Sequence, residues 1–82
     1  MKAKYVIYVN DSGNEIVVMT CGAGRHDEII PQGVLEDKSR IKGAGFIDIA
    51  TLECYGRSAS LKVESRGMKD SNLVRIHLKA TM

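Results

Sequence analysis

Lys4-Tyr5-Val6-Ile7-Tyr8-Val9 opens the chain with apolar side chains on both faces of an extended segment. A strand of that kind is buried on both sides and lies near the middle of a sheet. In 82 residues the core is modest, so the rest of the chain is committed to covering that strand. Asn10-Asp11-Ser12-Gly13-Asn14 is a turn by composition. Glu15 to Thr20 reads as a second strand, which makes the first two elements a hairpin.

Gly22 and Gly24 end this pattern. Asp27 is placed to N-cap a helix, and Pro31 is comfortable only in a first turn. The spacing predicts a short, irregular helix between Asp27 and Arg40 with Ile29, Ile30, Val34 and Leu35 as its buried contacts. Lys42-Gly43-Ala44-Gly45 reads as a flexible entry to a third strand, Phe46-Ile47-Asp48-Ile49, with Ile47 on one face and Phe46 on the other. Leu52 to Tyr55 is a fourth strand after a tight connection at Ala50-Thr51. Neither of those residues favours positive φ, so the turn itself belongs a residue or two away. Gly56 closes that strand, and Leu61 to Glu64 reads as a fifth, short edge strand.

The C-terminal segment has two readings. Val74, Ile76, Leu78 and Ala80 alternate with Arg75, His77 and Lys79 as in a strand. Leu73, Ile76, His77 and Ala80 equally make a helix face, with Asp70 or Ser71 as N-cap. His77 is expected at the surface. The expected fold is a single α/β domain (α+β type) spanning residues 1–82, with a mixed, mainly antiparallel sheet of four to six strands and one or two packed helices.

Composition excludes several function classes. A formal charge of +2 does not suggest a dedicated nucleic-acid binder. No apolar run approaches the roughly 18 residues of a membrane span, and the short N-terminal run does not make a signal peptide. Cys21 and Cys54 make no metal spacing and no disulfide framework, which fits two reduced thiols in a cytoplasmic protein. Neither a metal nor another cofactor is expected. Asp48, Glu53 and Glu64 have no spacing that forces them into an acid–base pair.

Two loops carry the candidate chemistry. Gly22 to Asp27 follows the second strand, and Gly56 to Ser60 follows the fourth. Small residues at both leave backbone N–H groups open to an anion. Ser58 and Ser60 add hydroxyls, while Arg25, Arg57 and Lys4 add positive charge. If the two strand ends are neighbours, the loops enclose a pocket of phosphate size. His26 is then its one group able to act as base or nucleophile near neutral pH.

The order of these pieces resembles the phosphohistidine phosphatase / Janus–Ocnus family. Lys4-Tyr5-Val6, Glu15-Ile16-Val17, His26-Asp27-Glu28-Ile29, Gly43-Ala44-Gly45-Phe46-Ile47 and Tyr55-Gly56-Arg57-Ser58 follow that family's layout. Each match is short, and the resemblance rests on their order over Lys4 to Ser60. It implies a metal-independent phosphatase with His26 as the catalytic histidine and Lys4 near the phosphate. It also implies that the backbone of Asp27 and the loop Ser58-Ala59-Ser60 cradle the phosphoryl group; Arg25 and Arg57 are the charges expected beside it from the residues themselves. Phe46 stands where the family has an arginine, Val18 falls where another basic residue is usual, and Lys62 replaces a glycine. The loss of two positive charges at Phe46 and Val18 predicts weaker phosphate binding. The partner implied is a phosphorylated protein or small anionic ligand, with homo-oligomerisation left open. The alternatives are a non-catalytic anion-binding or protein-interaction domain of the same fold, and a purely structural module.

Overall fold

A computed structural model describes residues 2–20 and 25–81. β1 (Lys2–Val9) and β2 (Glu15–Thr20) form the hairpin. Its turn is closed by Gly13 N–H donating to the Asn10 carbonyl (3.0 Å) and by Asn10 Oδ1 accepting from Ser12 and Asn14 N–H. β3 (Ile41–Asp48) flanks β1 on the other side, and β4 (Cys54–Tyr55) pairs with β3. The sheet order is β2-β1-β3-β4 and every pairing is antiparallel. β5 (Arg57–Ser58) and β6 (Val63–Glu64) make a separate two-stranded sheet. The fold is of α+β type.

Alternation along β1 supplies two cores. Ala3, Tyr5 and Ile7 pack with Val17, Ile47, Cys54 and Val74. Val74 belongs to α2 (Met68–Thr81), so that helix covers this face. Val6 points the other way, into a cluster with Ile30, Val34, Ile41, Ala44 and Leu61. That face is covered by β5–β6 and by an irregular helical stretch. The stretch runs through a 3-10 turn at His26–Glu28, a single α turn (α1, Gln32–Glu36) and a second 3-10 turn at Lys38–Arg40. Pro31, extended at φ −60°, ψ 149°, sits just before α1, where a missing N–H costs nothing. Asp27 does not cap a helix: the 3-10 turn begins one residue earlier, and Asp27 lies inside it.

The glycine-rich stretch before Phe46 is not a flexible entry. Gly43 and Gly45 are buried within β3 because neighbours occupy the space of their missing side chains. A Cβ on Gly43 would collide with the Asp70 carboxylate, and one on Gly45 would collide with the Tyr55 carbonyl oxygen. β3 ends at Asp48, which leaves Ile49 exposed. β4 is only two residues long, and the positive φ of the tight turn falls on Leu52 (63°) rather than Ala50 or Thr51.

The C-terminal segment is a helix. Asp70 and Val74, four residues apart and both fully buried, lie on its inner face. The buried Asp70 carboxylate accepts from Tyr5 Oη (2.5 Å), Arg66 N (2.9 Å) and Arg66 Nε (2.6 Å). Arg66 also reaches Glu15 at 2.6 Å, so this network joins α2 to β1 and β2. His77 is half-buried rather than at the surface, and Ile76 faces out. No helix among the described residues is long and apolar enough to cross a membrane.

Burial pushes the Tyr5 phenol well above its ordinary value of 10.0, and the hydrogen bond to Asp70 pushes it further. Above pH 10 the unfolded chain therefore releases a proton that the folded chain keeps. Stability then falls as pH rises, by up to about 1.4 kcal/mol per pH unit from this group. Denaturant unfolding between pH 9 and 11 is expected to show that decline, with a shallower slope for Tyr5→Phe. Equal slopes would mean that Tyr5 ionises alike in both states.

Candidate functional site

The register of the sheet builds the floor of a cleft. Lys4 pairs with Phe46, and Phe46 pairs with Tyr55, so three side chains stand in a row across β1, β3 and β4 on one face. This is the Val6 face, two residues along β1 from that core. Above the row lies the 3-10 turn that begins at His26, and beside it the turn of the β5–β6 hairpin. The resulting cleft, of about 400 Å³, is lined by Lys4, Arg25, His26, Phe46, Arg57, Ala59 and Ser60.

His26 is the fixed element. It is 5% exposed, and its Nε2 lies 2.7 Å from the carbonyl oxygen of Gly45. A carbonyl oxygen can only accept, so Nε2 carries the proton and the neutral ring keeps its lone pair on Nδ1. That carbonyl is positioned where β4 leaves the sheet. β4 pairs with β3 at Phe46 and Ile47 only, and at Gly56, with φ 78°, the chain turns away. Phe46 packs at 76° to the imidazole with ring centres 5.8 Å apart, which limits rotation from a second side.

The charges around the ring are more exposed than the ring itself. Arg25 is largely exposed and pairs with Asp27 at 2.9 Å. Arg57 is exposed, and Lys4 is half-buried. Lys2, which the sequence did not single out, places its ammonium over the Phe46 ring, 4.4 Å from the centre. In the hairpin turn Ser58 Oγ accepts from Leu61 N–H (3.2 Å), and among the described residues no hydrogen bond within the turn uses the N–H groups of Ala59 and Ser60.

Of the residues singled out from sequence, Lys4, Arg25, His26, Arg57, Ala59 and Ser60 therefore meet in one cleft. Two do not line it. Ser58 is fully buried, with its hydroxyl spent on Leu61 N–H and 3.3 Å from Ser60 Oγ; it shapes the turn. Asp27 turns its carboxylate to Arg25, and its other oxygen has no partner among the described residues. Gly22, Ala23 and Gly24 of the first loop, with Cys21, lie outside the described residues. Phe46 is the lining residue that spacing alone did not assign. Its position on the face opposite Ile47 was the available signal. Among the described residues no three His, Cys, Asp or Glu side chains gather as metal ligands.

The tautomer is directly measurable. Long-range 1H–15N correlation spectra, recorded where the ring is neutral, are expected to show His26 as the Nε2–H form. A spectrum dominated by Nδ1–H would remove the Gly45 hydrogen bond from the description of the site.

Searches against protein-family models, curated proteins and solved structures find no match to this chain.

Proposed function

We propose that the cleft binds a phosphoryl group and that His26 carries out its metal-independent hydrolysis, as in the phosphohistidine phosphatase family that the sequence resembles. One observation carries this reading: the Nε2–H of His26 is committed to the Gly45 carbonyl inside a cleft that also holds Lys4 and a hairpin turn in which, among the described residues, the N–H groups of Ala59 and Ser60 make no hydrogen bond within the turn. The Nδ1 lone pair attacks phosphorus as the bond from phosphorus to its carrier breaks, and the departing group takes a proton from solvent. Water then cleaves the N–P bond and returns inorganic phosphate. In the one-step variant Nδ1 removes a proton from the attacking water instead. The Gly45 carbonyl steadies the positive charge that the ring gains in either case. Lys4 and the N–H groups of Ala59 and Ser60 face the charge on the phosphoryl oxygens. The substrate is a phosphorylated protein or small phosphorylated molecule in the cytoplasm.

A second reading, a non-catalytic anion-binding domain, is favoured by Phe46. This ring fills the place of a family arginine and draws Lys2 onto its face.

Phosphate release from a phosphohistidine peptide separates the two. The first reading expects turnover that falls by about 10²- to 10⁴-fold in His26→Ala. It also expects phosphate affinity to fall about 10- to 100-fold in Lys4→Met, the usual loss for a charge-assisted contact. Phosphate binding without turnover establishes the second reading. Absence of both would take the cleft out of consideration.

A further inference from the structure

We infer that the outer side of α2 docks a short acidic segment of another protein, which sets an apolar side chain into a groove between α2 and the turn at residues 48–52. This surface lies across the sheet from the His26 cleft and does not depend on the phosphoryl-binding reading.

The charges of α2 are the first observation. The helix carries Lys69, Arg75 and Lys79 but one acid, Asp70. Asp70 is fully buried and spent on Tyr5 and Arg66. Lys69 and Lys79 are exposed and Arg75 is half-buried, so the outer side of α2 shows cations and no carboxylate of its own helix. Solvated helices ordinarily mix both signs one turn apart. The helix dipole accounts for Lys79 in the last turn but opposes Lys69 in the first.

The groove is the second observation. It holds about 630 Å³ and is lined by Leu52, Asn72, Arg75, Ile76, Leu78 and Lys79. Leu52 and Leu78 are half-buried and pack on the core, whereas Ile76 is 64% exposed. Arg75 donates from Nη2 to the Thr51 carbonyl at 3.1 Å. That acceptor is neutral, so the bond fixes the guanidinium at the groove without cancelling its charge. Apolar walls and two cations one turn apart, with no acid in the lining, match an apolar side chain flanked by Asp or Glu.

Charge also selects among occupants. In a two-fold contact with a second copy this surface meets itself, which sets Arg75 and Lys79 against like charges. A helix that lies on a bilayer inserts its apolar face, but here that face is used on the core around Val74. A concave groove admits a single side chain where a flat lipid surface does not enter.

The test is selection of random dodecapeptides displayed on phage against the full chain, followed by calorimetry with the peptides selected. They are expected to combine Asp or Glu with Leu, Ile or Phe. Their affinity is expected to fall about 10-fold in Ile76→Ser and about 3- to 10-fold in Lys79→Glu, the second loss shrinking as salt rises. Both side chains are exposed, so thermal melts of the variants match those of the unaltered chain; Lys79→Glu decides if Ile76→Ser melts lower. Lys4→Met, in the other cleft, leaves the affinity unchanged. Failure to select any peptide, peptides not enriched in acid, affinity retained in both groove variants, or affinity lost in Lys4→Met each overturns the inference. So does a dimer in sedimentation that dissociates in Ile76→Ser, which gives the groove to a second copy. Phosphatidylserine vesicles bound through Ile76 and Lys79 in place of peptides overturn it in favour of a membrane.

Discussion

Tyr5, Val6 and Ile7 are consecutive and fully buried, so the middle of β1 has no solvent face. Burial of each such side chain is worth roughly 1.5–3 kcal/mol, against a total stability of about 5–15 kcal/mol for a domain. Both faces of the sheet must therefore stay covered. α2 seals one, and the irregular helical stretch with β5–β6 seals the other. The candidate site lies where the second cover runs out. Val6 is roofed by Ile30 and Leu61, whereas Lys4, two residues back on the same face, opens into the cleft. The cleft is the end of a core, and this explains why its floor rests on the paired strands while its rim is charged.

Within that frame, Gly43 and Gly45 set the polar contacts. The missing side chain of Gly43 gives room to the Asp70 carboxylate that ties α2 to Tyr5. The missing side chain of Gly45 lets the corner from Tyr55 to Arg57 close against β3, and the carbonyl of the same residue seats His26. One stretch of four residues thus serves the stability of one face and the geometry of the other. Glycine in a strand lowers its intrinsic stability, and here the close approaches it permits offset that loss.

This stretch also shows where sequence reasoning stops. Local pattern was sufficient for β1, for the Asn10–Asn14 turn and for the broken helix around Pro31, because each follows from side chains near in sequence. Gly43 and Gly45 read as flexible because only a neighbour's position reveals a glycine required for space, and Asp70 is 27 residues away from Gly43. The C-terminal segment fitted helix and strand alike until burial of Asp70 and Val74 decided between them. At the site, Lys4, Arg25, His26 and Ser60 were legible from charge and loop chemistry. Ser58 was not, since a hydroxyl satisfied by Leu61 N–H looks the same in sequence as one offered to a ligand. The roles of Phe46 and Tyr55 needed the register of three strands.

Under the proposed phosphoryl-transfer function, the site would divide recognition from chemistry by how exposed each group is. Arg25 and Arg57 are exposed, and charges of that kind are screened by salt and contribute little when fixed in place. They suit capture of an anion at a distance. His26 is enclosed, hydrogen-bonded at Nε2 and braced by Phe46, so its lone pair needs little reorganisation before reacting. A cationic side chain at position 46 would have tightened anion capture while removing that brace. The aromatic ring makes the opposite exchange: it gives up one charge at the rim and gains a braced imidazole.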